Sequence, residues 1–290
     1  MFSLMKRNLT LYFKDRSGLF FSILSSLIVL GLYIVFLKNG MLKNWSEVPH
    51  TVKVLDPWLI GGMLSVTATT TTLAGINRLV KDREQQQLQD FLITPVKPFL
   101  IQLGYFLSAV VIGIIMQIIV FLTAWGYFAY SDNIEVETNV FLPLLGLAII
   151  NAFSASAISL LVVTFIKKLT TLSTVSSIIS TASGFFSGIY IPIGSLPTFA
   201  QTLIKIYPGS YSASLYRRLL MNNQLSSSFK YLSNNELIDF KKQLGIGYQW
   251  QSMTSSTQEF SVLIIALLAA LLIVAFKSFF ENRLRKDRRL

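Results

Sequence analysis

The sequence predicts an all-α integral membrane protein with six transmembrane helices, and three observations support this fold class. Hydrophobic residues make up 52% of the 290 residues, charged residues make up 13%, and the mean hydropathy is +0.57, which is typical of polytopic membrane proteins. The charged residues leave long gaps, and each gap can cross the roughly 30 Å apolar core of a bilayer. Most basic residues lie on one side of these gaps, as the positive-inside rule requires.

Six gaps without charged residues define the spans of a single domain covering residues 1–290. The gaps are 17–37, 57–77, 98–131, 138–166, 169–204 and 260–276. An even number of crossings places both termini on one side, and 16 of the 25 Lys and Arg residues fall on that side. We therefore expect cytoplasmic termini with a basic tail at 277–290. Because the net charge of +11 lies beside the spans, it indicates contact with lipid headgroups and no binding of nucleic acid.

Residues 1–16, which precede the first span, have the pattern of an amphipathic helix. The apolar residues recur at helical spacing, and basic residues flank them: Met5, Leu9, Tyr12 and Phe13 on one face, beside Lys6, Arg7 and Lys14. This pattern is typical of a helix that lies in the inner-leaflet interface. A plain cytoplasmic extension of the first span is the alternative.

Residues 78–97 form a short charged segment between the second and third spans. Its helix carries an apolar strip of Leu88, Phe91 and Leu92 beside Glu84 and Asp90. Pro95 and Pro98 end the helix before the third span. An amphipathic strip with an exposed acidic end fits a groove on a soluble partner, and interfacial anchoring is the alternative.

The fifth gap is too long for one crossing, and Pro192, Gly194 and Pro197 interrupt it. We expect the fifth span to end near Tyr190 and a re-entrant hairpin to follow in the outer leaflet, within a region 191–259 that also holds an external cap. A wholly extracellular loop is the alternative. Arg217 and Arg218 lie just outside this hairpin. They would contact headgroups or an anionic part of a cargo, or snorkel to the interface.

The polar content of the spans consists mainly of hydroxyl groups and small residues. Two spans carry them at close spacing: Thr67, Thr70 and Thr71 in the second, and Ser173, Ser177, Thr181, Gly184 and Gly188 in the fifth. Small residues on one stripe allow helices to pack closely. The same faces could instead line a weakly polar path for an amphiphile at a seam between two subunits.

Several chemistries are excluded by residues that the sequence lacks. It contains no GxxxxGK[ST] phosphate loop, no cysteine, and only one histidine, His50, so the sequence predicts no nucleotide, metal or catalytic site. None of the six gaps contains an Asp, Glu, Lys, Arg or His residue, whereas ion-coupled carriers usually bury such groups, so we expect a bundle without buried charged side chains. Uphill transport by this protein would therefore need energy from another chain.

Two groups of residues resemble the permease subunits of ABC-2 type transporters. The first matches the cytoplasmic "RE…L..L..TPV" loop of that family: Arg83-Glu84, Leu88, Phe91-Leu92 and Thr94-Pro95-Val96. The second is similar to the region before its last span: Ser187-Gly-Ile-Tyr-Ile-Pro192, Ser195-Leu-Pro197, Tyr207-Pro208 and Arg217. The resemblance implies that residues 1–16 are a membrane elbow helix. It also implies that Arg83, Glu84, Leu88, Phe91 and Leu92 couple the spans to a nucleotide-binding subunit.

The resemblance further implies an assembly in the plasma membrane of a bacterium. Two copies of a partner ATPase would bind ATP and Mg²⁺, and a second permease copy or a paralogue would complete the substrate route. The chain itself would bind no cofactor and would export a drug, an antimicrobial peptide or a lipid. A membrane scaffold or immunity protein that sequesters an antimicrobial peptide is the rival hypothesis, and a secondary transporter is a third. The external insert at 222–258 is longer than in the shortest family members.

Overall fold

The computed structural model describes residues 1–46, 48–92, 96–134, 137–230 and 233–287. These residues form helices joined by short connections, with one isolated antiparallel bridge between Gln249 and Met253. The helices are α1 Phe2–Lys14, α2 Arg16–Leu32, α3 Lys38–Asn44, α4 Thr51–Glu84, α5 Gln87–Leu92, α6 Pro98–Asp132, α7 Thr138–Thr164, α8 Leu169–Phe186, α9 Thr198–Ile206, α10 Pro208–Ser228, α11 Asn234–Leu244 and α12 Ser256–Asp287. A π-helical segment, Tyr33–Leu37, joins α2 to α3. The all-α prediction is confirmed for the described residues.

Within the described residues, five helical stretches are long and apolar enough to cross a membrane. They are Arg16–Asn44, Thr51–Glu84, Pro98–Asp132, Thr138–Thr164 and Ser256–Lys277, and they coincide with five of the six predicted spans. Helix α8 occupies the remaining gap, but it has only 18 residues and is rich in Ser and Thr. The chain is therefore an integral membrane protein by length and hydropathy, and the crossing by α8 stays a prediction.

Helix α4 is the centre of the bundle, and it packs against α6, α7, α8 and α10. In the apolar 18-residue stretch of α4, 78% of the residues are buried. In the corresponding stretches of α2–α3 and α12, only 18% and 22% of the residues are buried. Small residues allow this close packing, because a Cβ on Gly75 would lie 3.2 Å from Ala109 Cα of α6. Residues along the whole length of α4 therefore contact several neighbouring helices.

We call the end of the bundle that holds α1 and α5 the proximal end. Helix α1 is separate from α2, since Asp15 leaves the helical conformation and its carboxylate accepts a hydrogen bond of 2.9 Å from the Gly18 N–H. Helix α1 packs on α6, where Leu4 covers Gly104 and the buried Asn8 donates to Ser108 Oγ over 3.4 Å. The N-terminal segment is thus a distinct helix, and its position in the interface stays a prediction.

We call the opposite end, which holds α9 and α11, the distal end. Helix α8 ends at Phe186, and Gly188 follows with a φ of +66°, which suits glycine. The 3-10 turn Ile193–Ser195 and α9 come next. Helix α10 then returns along α4. Helix α11 lies in the region that the sequence predicts to be an external cap, and a capping box between Ser233 and Glu236 forms its N-terminus. The chain is broken near Pro192 and Pro197 as predicted, and the depth of this region in the membrane stays a prediction.

Candidate functional sites

The proximal end of α4 carries a buried carboxylate, Asp82, whose side chain is 0% exposed. Arg7 Nη1 of α1 donates to Asp82 over 2.7 Å, and the Tyr105 hydroxyl of α6 donates over 2.6 Å. Arg78 Nε of α4 lies 2.9 Å from the same carboxylate. The hydrogen bond to Asp82 raises the pKa of the Arg7 guanidinium. A buried charge needs such partners, and here they join α1, α4 and α6.

Arg7 also connects this cluster to α5. Its Nη2 donates to Gln87 Oε1 over 3.3 Å, and its guanidinium lies 5.4 Å from the centre of the Phe91 ring. Arginine suits this position because its planar group can donate to several acceptors and stack on an aromatic face. One side chain of α1 therefore contacts both the end of α4 and the short helix that follows it.

Arg83 and Glu84 contact the connection between α7 and α8. Arg83 Nη1 donates to the carbonyl groups of Ile166 and Val163 over 2.7 and 3.3 Å, at the C-terminal end of α7. Glu84 Oε2 accepts a hydrogen bond of 2.9 Å from the Leu169 N–H, which begins α8. A cation at a helix C-terminus and an anion at a helix N-terminus both complement the helix dipoles. The last turn of α4 is thereby joined to both helices.

The apolar strip of α5 faces the protein's own core. Leu88 and Phe91 pack against the buried cluster at the proximal end, whereas Gln85, Gln89 and Asp90 are exposed. The predicted partner-facing strip is thus partly covered, and the polar face of this segment is the accessible one. The side chain of Leu92, together with Thr94 and Pro95, lies outside the described residues.

A polar groove runs between α2, α4 and α8. Its deeper part is a cavity of about 380 Å³, and a more open part of about 620 Å³ continues along α8. Both parts share four polar side chains: Asn77, Ser176, Ser180 and Thr181. Apolar residues of α2 and α4 complete the wall of the cavity, among them Phe21, Val29 and Met63. The combination of hydroxyl groups and apolar side chains suits an amphiphilic ligand.

Four residues of the predicted path line this polar groove, namely Thr70, Ser173, Ser177 and Thr181. The hydroxyl groups of Thr70 and Ser177 donate to carbonyl groups one turn earlier, over 3.1 and 3.0 Å. These two hydroxyls thus keep an internal partner and still face the groove.

The other four residues of the predicted path do not line the polar groove. Thr67 is buried 3.2 Å from Ser26 Oγ, and Thr71 donates to the Thr67 carbonyl over 2.6 Å. Gly184 is covered by the Tyr190 ring, since a Cβ there would lie 2.3 Å from Tyr190 Cε2. Gly188 is a buried residue at the end of α8. In the single chain these residues serve packing and helix termination.

Arg217 differs from the sequence-based expectation, because its side chain is 0% exposed. It donates to the carbonyl groups of Ser187 over 2.6 Å, Leu244 over 3.0 Å and Trp58 over 3.2 Å. Its guanidinium lies 4.7 Å from the Trp58 ring centre, and burial lowers the pKa of Arg217 to about 10. Contact with lipid headgroups is therefore wrong for Arg217. Two of its acceptors lie at the C-terminal ends of α8 and α11, where carbonyl groups lack helical donors.

Arg218 is partly exposed and faces a different environment. Its Nη2 donates to Glu259 Oε1 of α12 over 3.0 Å and to the Thr254 carbonyl over 2.6 Å. The Glu259 side chain is 0% exposed, so this pair is half-buried.

The expectation that the bundle buries no ionisable side chain is also wrong. At the distal end of α4, Asp56 is 0% exposed and accepts from the Tyr33 hydroxyl over 2.8 Å and from Lys38 over 3.0 Å. Asp132 of α6 lies 2.8 Å from Lys38. The reason is that the helices extend beyond the charge-free gaps. The charges that bounded the gaps in the sequence therefore lie inside the ends of the bundle. Asp56 lies directly before Pro57 in the first turns of α4, which no sequence motif marks as a buried site.

The fold and these sites define the class of the protein as a helical membrane protein whose sequence contains no phosphate loop. The sequence profile of the ABC-2 type transporter family matches residues 1–221, which is more than half of the chain. The chain therefore belongs to this family. The resemblance found in the sequence is confirmed. The family consists of membrane components of transporters.

Two curated proteins are similar to the chain. The Inner membrane transport permease YhhJ of Escherichia coli (strain K12) is 23% identical over 169 residues, and the protein of the same name from Shigella flexneri matches equally. The match covers 57% of the chain and 44% of each relative. The chain thus matches less than half the length of these relatives.

Proposed function

We propose that the chain is the membrane subunit of an ATP-driven exporter with cytoplasmic termini. It would work as a dimer, with a second copy or a paralogue, and with two copies of a separate ATPase. The observation that carries this proposal is the contact of Arg83 and Glu84 with the α7–α8 connection. These residues lie between the exposed face of the α5 segment and a helix that lines the polar groove.

This arrangement gives a continuous route for mechanical coupling. A partner that pushes on Gln85, Gln89 and Asp90 would displace the end of α4 through the short connection to α5. The Glu84 carboxylate would transfer that displacement to the start of α8. Since α4 and α8 form two walls of the polar groove, the displacement would change its width.

The polar groove supports an amphiphilic or hydrophobic cargo, such as a drug, an antimicrobial peptide or a lipid. The Thr70 and Ser177 hydroxyls already donate to backbone carbonyl groups, so an apolar part of the cargo would leave them paired. Ser176 Oγ and Asn77 Oδ1 have no hydrogen-bond partner among the described residues, and they would bind a polar part of the cargo. A second copy placed against α2, α4 and α8 would close the open side of the groove. The predicted path residues Thr70, Ser173, Ser177 and Thr181 would then face a route between two subunits.

The experiment that tests this proposal uses the full chain, co-expressed with its partner ATPase and reconstituted in vesicles. Glu84→Ala is expected to leave assembly and basal ATP hydrolysis intact but to reduce cargo export roughly tenfold, because one charge-assisted hydrogen bond to α8 is lost. Asp90→Lys is expected to weaken assembly itself, since Asp90 is exposed on α5. Asp239→Asn is the control, because this exposed acid lies on α11 at the opposite end.

Three results would contradict the proposal. Full export by Glu84→Ala would show that the contact with α8 transmits no force. Binding of an antimicrobial peptide without export, in vesicles that contain the ATPase and ATP, would favour the scaffold or immunity function instead. An ion gradient that drives export without ATP would favour a secondary transporter.

A further inference from the structure

A second cavity lies at the distal end, on a different set of helices from the polar groove. It has a volume of about 830 Å³ and is lined by α7, α10, α11 and the start of α12. The polar groove is lined by α2, α4 and α8, so the two sites share no helix. We call this second cavity the distal pocket. The proposed coupling mechanism does not use it.

The distal pocket is polar at one end and apolar at the other. Glu137 and Asn139 lie at the start of α7 and Asn222 lies late in α10, and these side chains form the polar rim. Pro143, Leu147 and Ile150 continue down one face of α7. From residue 137 to residue 150 the axis of this segment extends roughly 20 Å. This gradient matches an elongated amphiphile whose headgroup lies at the distal end.

Two cations in the distal pocket have hydrogen-bond donors without acceptors. Arg218 Nε is buried and has no hydrogen-bond partner among the described residues, although Nη2 of the same side chain pairs with Glu259. Lys241 Nζ makes no hydrogen bond or ion pair within the described residues. Burial and the nearby Arg218 charge lower the pKa of Lys241. A ligand with acceptor oxygens would satisfy both donors.

Each acidic group near the distal pocket already uses at least one carboxylate oxygen in a hydrogen bond. Glu137 accepts hydrogen bonds from Asn139, over 2.8 Å, and from Asn223. Glu259 Oε1 accepts from Arg218 and from the Thr254 hydroxyl, whereas its Oε2 is buried without a hydrogen-bond partner among the described residues, and Glu259 does not line the pocket. The Lys241 ammonium is thus the one lining cation in the described part of the pocket that lacks a carboxylate partner. A phosphate group, which accepts several charge-assisted hydrogen bonds, is complementary to it.

We propose that the distal pocket binds a phospholipid, with the phosphate held by Arg218 and Lys241 and an acyl chain along the apolar face of α7. This site is independent of the proposed export function. It would let lipid in the membrane contact α10 and α12 directly, away from the cargo route.

The test measures equilibrium binding of a fluorescent short-chain phosphatidylglycerol to the full chain, purified in detergent without any ATPase. Lys241→Gln is expected to weaken binding roughly tenfold, since one charge-assisted contact to phosphate is lost. Lys242→Gln is the matched control, because this adjacent lysine is exposed and does not line the pocket. A diacylglycerol with the same chains is expected to bind roughly tenfold more weakly than phosphatidylglycerol, because it lacks the phosphate.

A second pair of variants tests the apolar part of the site. Gly146 lines the distal pocket and has open space at its Cβ position, so Gly146→Phe should fill the pocket and abolish binding. Gly126→Phe is the control, since Gly126 of α6 has equally open space but lies elsewhere. Equal binding of diacylglycerol, or equal affinity of the two lysine variants, would overturn the phosphate contact. Full competition by inorganic phosphate, or unchanged binding by Gly146→Phe, would overturn the acyl site.

Discussion

Replacement of Arg217 by methionine tests how a buried cation is stabilised without a carboxylate. In the described part of the chain, its hydrogen bonds go to carbonyl groups, the shortest being 2.6 Å to Ser187. The Leu244 carbonyl also accepts from Trp58 Nε1 over 2.7 Å, so it would keep a partner. The Trp58 carbonyl lies inside α4, where the backbone ladder supplies a second donor. The Ser187 carbonyl accepts no other hydrogen bond from the described residues.

The expected change in the free energy of unfolding follows from the contacts that Arg217→Met removes. One buried carbonyl group left without a donor costs about 1–3 kcal/mol. Loss of the cation–π contact with Trp58 costs about 1–2 kcal/mol in a buried site. Relief of the buried charge offsets part of this sum. We therefore expect Arg217→Met to lower the free energy of unfolding by about 2–4 kcal/mol.

The assay is unfolding of the purified chain in mixed micelles, followed by tryptophan fluorescence. Arg217→Lys is expected to be less stable than Arg217→Met, because it keeps a strongly hydrated buried charge but cannot donate in three fixed directions. Arg16→Met is the control, since Arg16 is exposed at the start of α2. A stability of Arg217→Met equal to or above that of the wild type would refute the reasoning. It would mean that the cost of burying the guanidinium exceeds the value of its hydrogen bonds.

Two further predictions concern packing around α4. Tyr105→Phe removes the hydroxyl that donates to Asp82 over 2.6 Å, and it should lower the free energy of unfolding by about 1–2 kcal/mol, as measured in the same assay. Tyr130→Phe is its control, because Tyr130 of α6 is 91% exposed, and equal stability of both variants would contradict the role of the hydroxyl. Gly62→Ala places a Cβ 2.2 Å from Ile189 Cγ2 and should cost about 1–3 kcal/mol. Gly126→Ala meets no such contact, and a neutral Gly62→Ala would show that Ile189 can move aside.

The sequence predicts five of the spans well because hydropathy is averaged over about 20 residues, so single misassigned positions matter little. Helix α8 is harder to assign, since hydroxyl residues such as Ser173 and Ser177 lower its hydropathy although their hydrogen bonds can be internal. The chain break near Pro192 is also predictable, because proline and glycine act locally. Helix spans and chain breaks can therefore be predicted from the sequence, because they depend on nearby residues.

Burial of individual charges cannot be predicted in this way. Arg217 is separated by 30 residues from Ser187 and by 159 residues from Trp58, so no local pattern indicates that its acceptors surround it. The same holds for Glu84, whose partner Leu169 lies 85 residues further along the chain. The amphipathic pattern of α5 predicts that Leu88 and Phe91 face a partner, whereas both pack on the core of the same chain. An amphipathic pattern predicts a buried face but does not say whether the covering surface belongs to the same chain.

The two ends of α4 are held by stronger interactions than its middle. Asp56 and Asp82 each accept a hydrogen bond from a tyrosine hydroxyl and pair with basic side chains, and removing one partner of a buried pair typically costs about 3–5 kcal/mol. Along the roughly 40 Å between them, α4 contacts its neighbours through neutral hydroxyl pairs such as Thr67–Ser26, each worth about 0.5–1.5 kcal/mol.

A displacement of α8 or α2 against the middle of α4 therefore breaks weak contacts that other hydroxyl groups can replace. A displacement of either end of α4 relative to α1, α6 or α3 would instead break an ion pair in a buried site. The least costly change of shape thus keeps the ends of α4 attached to α1, α6 and α3 and alters the polar groove between them. Glu84 lies beside the strongly held proximal end and contacts α8 directly, so force applied there would reach the groove before it disturbs the rest of the bundle.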